Sequence, residues 1–166
     1  MKLLYFLDFK HFTQTGKSVT GQNYYAWDFG PVPSAVWKEL ESGMKEDLKA
    51  AVAEERRGIK EGDVEGDYYL YKAKRNFSDD FFSSREMNLL EETAEIFKEA
   101  TTKQMVDATH LIDTPWNSVW KGGSGKGKHI DYMLSFKCDN LGGLSEGEAQ
   151  LRKNEIEEIN RVFGTD

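Results

Sequence analysis

Two prolines in the segment Gly30-Pro31-Val32-Pro33 impose the strictest local constraint on how this chain folds. Each proline ring fixes its own φ angle and removes one backbone amide hydrogen. Because both amide hydrogens are missing, we predict that the segment cannot continue any regular element. New structure is therefore expected to start at Ser34, whose hydroxyl can cap the helix that follows.

The residues before the proline segment predict a central helix, a turn and one strand. Apolar side chains recur on more than one helical face, as expected of a helix surrounded by core; they are Leu3, Leu4, Phe6, Leu7, Phe9 and Phe12. Gly16 is a typical C-terminal stop. The short stretch 19–28 is rich in β-branched and aromatic residues, which favours a turn at Thr20-Gly21 followed by a strand.

Helix signals continue through the middle of the chain. We predict a helix from Ser34 to Gly43 and a second one over 44–57, whose acidic start and Arg56-Arg57 end suit the helix dipole. Residues 58–66 contain three glycines and indicate a loop or hairpin. Residues 67–73 form the best strand candidate in the chain because of their tyrosines.

Further helices are marked by their caps. Ser83 and Glu86 form a capping-box pattern, and residues 103–111 predict a shorter helix that Pro115 stops. A second box, Ser145 with Glu148, precedes a final helix. The predicted fold class is mostly α (α+β), a compact helical domain with a small antiparallel β element. One domain is expected over residues 1–166, with the part from about 122 the least defined.

Composition restricts the classes of partner. The net charge is −7, and no apolar run approaches the ~20 residues of a membrane helix. The acidic balance disfavours nucleic acid and suits a basic partner, or it is simply a soluble acidic surface. A single cysteine, Cys138, excludes an intramolecular disulfide. We expect a cytoplasmic protein that does not act at a membrane.

The only segment with an enzyme-like pattern is the glycine- and lysine-rich stretch 122–128. Its spacing approaches a phosphate-binding loop, but His129 stands where magnesium binding requires Ser or Thr, and no buried strand precedes it. A surface loop is the favoured interpretation. The three histidines lack metal-site spacing, and nothing beside Cys138 indicates an activated thiolate. We therefore predict no catalytic residue, no metal site and no cofactor.

Aromatic residues concentrate around rigid turns. Aromatic side chains on a rigid backbone lose little entropy on binding and often dominate protein interfaces. This favours a partner-binding surface; the alternative is that most of these aromatics fill the core. The candidate partner-binding residues are Trp27, Phe29, Pro31, Pro33, His110, Trp116 and Trp120.

An ordered string of motifs resembles one family. It runs from Lys2-Leu3-Leu4-Tyr5-Phe6 through Gly16 and Thr20-Gly21 to the Tyr25-to-Trp27 stretch and the proline segment. Later pieces are Ser84-Arg85-Glu86, Thr109-His110 and Pro115-Trp116. Together they resemble the Panacea-domain (SocA-like, phage-associated) antitoxin family over residues 2 to about 120.

The resemblance implies a mostly helical fold with a small β element and no catalytic site. It also implies the antitoxin of a toxin–antitoxin system, which neutralises a cognate protein toxin by direct binding. Two alternatives remain open: an adaptor that delivers a bound protein to a cellular protease, and a nucleotide-dependent enzyme. Family members usually carry several residues before the KLLY block, so this chain is expected to have a shortened first helix.

Overall fold

The computed structural model describes residues 1–61, 64–111, 113–137 and 146–163. The chain forms two compact units. One comprises Met1–Ala35 and Phe82–Asp166, and the other is Val36–Phe81.

The predicted fold class is confirmed, since the protein is a predominantly helical α+β structure with small antiparallel sheets. The helices are α1 (Lys2–Thr15), α2 (Ser34–Ser42), α3 (Glu46–Ala51), α4 (Ser84–Phe97), α5 (Thr102–Thr109), α6 (Pro115–Trp120) and α7 (Glu146–Phe163). The strands are β1 (Tyr24–Trp27), β2 (Gly30–Pro33), β3 (Val52–Glu61), β4 (Val64–Ala73) and β5 (His129–Ile130). Two 3-10 turns cover Lys121–Gly123 and Tyr132–Lys137.

Helix α1 is the central element of the first unit, as its apolar pattern predicts. Its buried side chains lie on more than one face, because α4, β2 and the 3-10 turn Tyr132–Lys137 pack around it. Gly16 ends the helix in the left-handed conformation with φ 75°, and its amide donates to the Phe12 carbonyl. Glycine adopts this conformation without steric cost, so the predicted stop is confirmed.

The proline segment forms strand β2, so the prediction that it continues no element is wrong. β2 pairs antiparallel with β1, with Tyr24 opposite Pro33 and Ala26 opposite Pro31, and β5 pairs with the other side of β1. β2 is thus an edge strand. Prolines two residues apart direct their nitrogens to one side of the strand, and at an edge that side needs no ladder hydrogen bond.

The predicted helix over 44–57 is mostly wrong. Only Glu46–Ala51 is helical, and the chain then enters β3, which pairs with β4 over ten positions from Val52↔Ala73 to Glu61↔Val64. Glu55 forms ion pairs with Arg57 on its own strand and with Lys72 across the ladder, each at 2.9 Å. Pairing with the tyrosine-rich β4 outweighs the helix signal of the charged segment, as long-range contacts commonly do.

The predicted cap at Ser83 is confirmed, since Ser83 and Glu86 form the capping box of α4. The structure adds a box that the sequence analysis did not predict, formed by Thr101 and Gln104 at α5. Pro115 does more than stop α5, since it is the first residue of α6, a position that needs no amide hydrogen. The final helix is confirmed as α7; its predicted cap, Ser145, lies outside the described residues.

The core of the first unit is an aromatic cluster. Its largest members come from α1, β1 and α6, and all are nearly or fully buried. Rings pack at centroid separations of 4.4 Å between Tyr5 and Phe9 and 5.6 Å between Tyr5 and Tyr24. The cluster residues are Tyr5, Phe9, Tyr24, Ala26, Trp116 and Ile130. Tyr5, Phe9, Tyr24 and Trp116 therefore fill the core, and the partly buried Phe6, Trp120 and Tyr132 pack against it.

Gly125 gives a direct test of the packing between α6 and the loop that follows it. A methyl group at Gly125 would lie 1.7 Å from the Val119 carbonyl oxygen, so Gly125→Ala forces the backbone apart. We expect it to lower the free energy of unfolding by about 3 kcal/mol, measured by denaturant unfolding. Gly147→Ala is the matched control, because nothing lies within 4 Å and the site is helical. Equal stability of the two variants would contradict the packing described.

Candidate functional site

The candidate site lies at one end of the three-stranded sheet. Because β1 and β5 are antiparallel, the β1–β2 turn and the loop that precedes β5 meet at the same end. The Ala26 amide donates to the Lys128 carbonyl at 2.9 Å, and the Gly127 amide donates to the Ala26 carbonyl at 2.7 Å. We call Trp27, Phe29, His110 and Trp120 the aromatic edge.

The seven predicted partner-binding residues divide by burial. Phe29 is 76% exposed and Trp27 is 36% exposed, whereas His110 and Trp120 are half-buried. The other three are buried and offer no surface to a partner in this conformation; they are Pro31, Pro33 and Trp116. The structure brings all seven to β1, β2 and the α5–α6 region, but only the aromatic edge is accessible.

Trp116 connects the buried and accessible rings. Its indole stacks on His110, with ring centroids 3.9 Å apart and planes within 2°, and on Trp120 at 5.2 Å. The Trp116 Nε1 donates to the Trp27 carbonyl at 3.2 Å, and its backbone amide donates to the Tyr5 hydroxyl at 3.2 Å. Trp116 therefore fixes the two half-buried rings of the aromatic edge relative to β1 and α1.

The His110 ring carries an unused polar atom. Its Nε2 is buried and makes no hydrogen bond within the described part of the chain. Burial, reinforced by the nearby Lys2 charge, lowers the pKa of His110, while Asp107 opposes the shift. A buried polar atom without a partner carries a desolvation cost.

Gly30 sets the close approach of the β1–β2 turn to its neighbours. It has φ +115°, and a methyl group there would lie 2.7 Å from the Thr109 Oγ1 and 3.2 Å from the Lys2 Cε. Only glycine combines this backbone conformation with such contact. The turn that presents Phe29 is thus held against α1 and α5.

The glycine-rich loop does not have the free amides of a phosphate cradle. The amides of Gly125, Lys126, Gly127 and Lys128 donate to backbone carbonyls within the loop, α6 and β1. A phosphate-binding loop instead directs its amides at the ligand. Helix α6 and a 3-10 turn precede this loop, not a buried strand. These observations disfavour the nucleotide-dependent enzyme.

A buried carboxylate that the sequence analysis did not single out organises the other side of β1. Asp8 is fully buried and accepts hydrogen bonds from the Thr20 amide at 2.8 Å, from the Thr20 hydroxyl and from the Tyr24 hydroxyl at 2.7 Å. The Tyr132 hydroxyl lies 3.4 Å away and donates to the Gln22 carbonyl at 2.7 Å. The only sequence signal was a charged residue between Leu7 and Phe9 in an apolar helix.

The Asp8 carboxylate changes the acidity of its phenolic neighbours. Burial, followed by the charge of Asp8, raises the pKa of Tyr24 and of Tyr132 well above the ordinary value of 10. Both phenols are therefore held as neutral hydrogen-bond donors. This centre has a structural role, because it joins α1, the Thr20 turn, β1 and the turn Tyr132–Lys137.

The raised pKa values predict a specific alkaline instability. Below about pH 10 both phenols are protonated in the folded and unfolded chains; above it only the unfolded chain ionises them. The free energy of unfolding should therefore fall above pH 10 by about 1.4 kcal/mol per pH unit for each phenol.

Denaturant unfolding between pH 8 and 11.5 measures this slope. Tyr24→Phe and Tyr132→Phe should each reduce the slope by about 1.4 kcal/mol per pH unit, the contribution of one proton. The double variant should reduce it by twice that amount. An unchanged slope in the double variant would show that these phenols ionise as freely in the folded chain as in the unfolded one.

Among the described residues, no group of three or more His, Cys, Asp or Glu side chains could hold a metal ion. Within the same residues, no helix combines the length and apolar character needed to cross a membrane. Cys138 lies outside the described residues.

The protein is predominantly helical α+β, and its first unit carries an accessible cluster of aromatic rings. The family model described as antitoxin SocA-like, Panacea domain, matches residues 1–117 of the 166. The chain belongs to this family, and the predicted resemblance is confirmed. No curated protein and no solved structure matches the chain. Trp120 and the glycine-rich loop lie beyond the matched residues.

Proposed function

We propose that this protein is an antitoxin that neutralises a cognate protein toxin by direct binding, and that the aromatic edge contacts the toxin. Membership of an antitoxin family supports the general role. The observation that carries the contact surface is Phe29, an apolar ring left 76% exposed at a turn whose backbone is fixed.

The rigidity of that turn has identifiable causes. Lys126 forms an ion pair with Asp28 at 2.5 Å, Gly30 packs against Thr109, and the Trp27 carbonyl accepts from the Trp116 indole. A phenylalanine presented in this way loses little conformational entropy when a partner covers it. Full burial of such a side chain contributes about 1.5–3 kcal/mol, which is the magnitude typical of an interface hot spot.

The buried members of the predicted set have a supporting role in this proposal. Pro31 and Pro33 stiffen the edge strand beside the turn, and Trp116 positions His110 and Trp120. Substituting these buried residues would disturb the packing that positions the turn and the rings, so a loss of binding in those variants would not identify the contact surface. Phe29 is the better probe because its ring contributes little to the core.

We expect Phe29→Ala to abolish protection against the product of the neighbouring reading frame in a co-expression growth assay. Its affinity for that product should fall about 30-fold or more, which corresponds to roughly 2 kcal/mol. Isothermal titration with the purified proteins measures the affinity. The melting temperature should stay within a few degrees of the unsubstituted protein.

Phe81→Ala is the matched control, since Phe81 is 92% exposed and lies in the other unit. It should bind and protect as the unsubstituted protein does. Equal loss in both variants would reject the aromatic edge, and a neighbouring product that is harmless alone would reject the antitoxin role. A toxin half-life that shortens only when this chain is present would favour delivery to a protease.

A further inference from the structure

The β1–β2 turn is flanked by cations on both sides. The Lys2 side chain lies against Gly30 on one side, and Lys126 pairs with Asp28 on the other. Residues 27–30 and 121–129 together contain the lysines Lys121, Lys126 and Lys128 and one acidic residue, Asp28. The end of the sheet that carries Phe29 is thus locally basic in a chain whose net charge is −7.

Three of these cations have no opposite charge beside them among the residues that the structure describes. In the described part of the chain, Lys2, Lys121 and Lys128 form no ion pair. Most other ion pairs in the protein, such as Lys103–Asp107, join lysines or arginines to carboxylates on their own helix or strand pair. Lys2, Lys121 and Lys128 therefore add positive charge near the aromatic edge that no carboxylate among the described residues neutralises.

Lys2 is the least favourably placed of these cations. Its side chain is partly buried between α1 and Gly30, and this burial lowers the pKa of its amine. The nearby His110 has the unpartnered Nε2 described above, and the Lys2 charge contributes to lowering its pKa. A carboxylate close to the Lys2 amine would offset the desolvation of that amine.

We propose that the partner surface covering the aromatic edge is acidic, with carboxylates facing Lys2, Lys121 and Lys128 around an apolar seat for Phe29. This inference rests on the proposed function, and it names the chemistry of the toxin's contact face. It replaces the basic partner that the overall charge suggested. The net charge sums over the whole surface, whereas an interface responds to the charges within about 10 Å, the screening length at 0.1 M salt.

A protein surface suits these observations better than a nucleic acid. A nucleic acid presents an extended polyanion, and most of this protein's surface would repel it. A toxin can instead limit its acidic residues to the contact face. Charge complementarity of this kind increases the association rate and fixes the orientation of docking.

The first test is a charge reversal with a matched control. Lys121→Glu/Lys128→Glu changes the net charge from −7 to −11, as does Lys17→Glu/Lys137→Glu, whose exposed lysines lie just after α1 and in the turn Tyr132–Lys137. Association with the neighbouring reading frame's product is followed by stopped-flow fluorescence at about 50 and 500 mM salt. We expect the first variant to associate at least 10-fold more slowly at low salt, with much of the difference lost at high salt.

The second test identifies the groups in contact. A water-soluble carbodiimide joins lysine amines to carboxylates as amides and takes up the released water as a urea. Mass spectrometry of the cross-linked complex should find Lys121, Lys128 or Lys2 joined to aspartate or glutamate of the toxin. Cross-links from toxin lysines to acidic residues of this chain, with none from these three lysines, would overturn the proposal.

The outcomes separate the two proposals. Equal association rates for the edge and control variants, with neutralisation intact, would overturn the acidic contact face and leave the antitoxin role standing. No complex with the unsubstituted protein would reject the antitoxin role itself. Binding of a single-stranded oligonucleotide that is lost only in Lys121→Glu/Lys128→Glu would overturn the protein partner in favour of nucleic acid.

Discussion

The buried carboxylate of Asp8 is the interaction on which the rest of the first unit depends. An isolated buried charge costs several kcal/mol, so it is retained only where strong donors surround it. Here the donors come from the Thr20 turn and from Tyr24 of β1, with Tyr132 nearby, and these segments must converge on α1. Once β1 is fixed in this way, β2 and β5 pair with it, and the aromatic edge is formed at the end of that sheet.

The residues that determine the backbone position differ from those proposed to contact the toxin, although both groups belong to the same sequence motifs. Trp116 and the two prolines are buried and determine where the backbone lies, while Phe29 and Trp27 are displayed by it. The family match covers the frame and the β1–β2 turn but ends before Trp120 and the lysine-bearing loop. The proposed contact surface therefore combines residues within the family match and residues beyond it.

Sequence reasoning predicted the elements whose signals are local. The Gly16 stop, the Ser83 capping box and the tyrosine-rich strand each depend on residues within a few positions of one another, and all three are present. It failed for the proline segment and for residues 44–57, whose conformations depend on a partner strand. Sequence reasoning could not distinguish exposed from buried side chains among the predicted site residues. The reason is that Phe29 and Trp116 both lie next to turn and proline residues in the sequence.

The class of fold and the family follow from the sequence alone, since apolar periodicity, caps and an ordered motif string are all read along the chain. The tertiary structure was needed to show that Pro31 and Pro33 lie in an edge strand, that Asp8 joins several segments, and that Lys2 and Lys126, distant in sequence, contact the β1–β2 turn. The physical reason is that hydrogen-bond pairing, burial and local electric field depend on which distant segments meet. That meeting is set by the packing of the whole unit around α1.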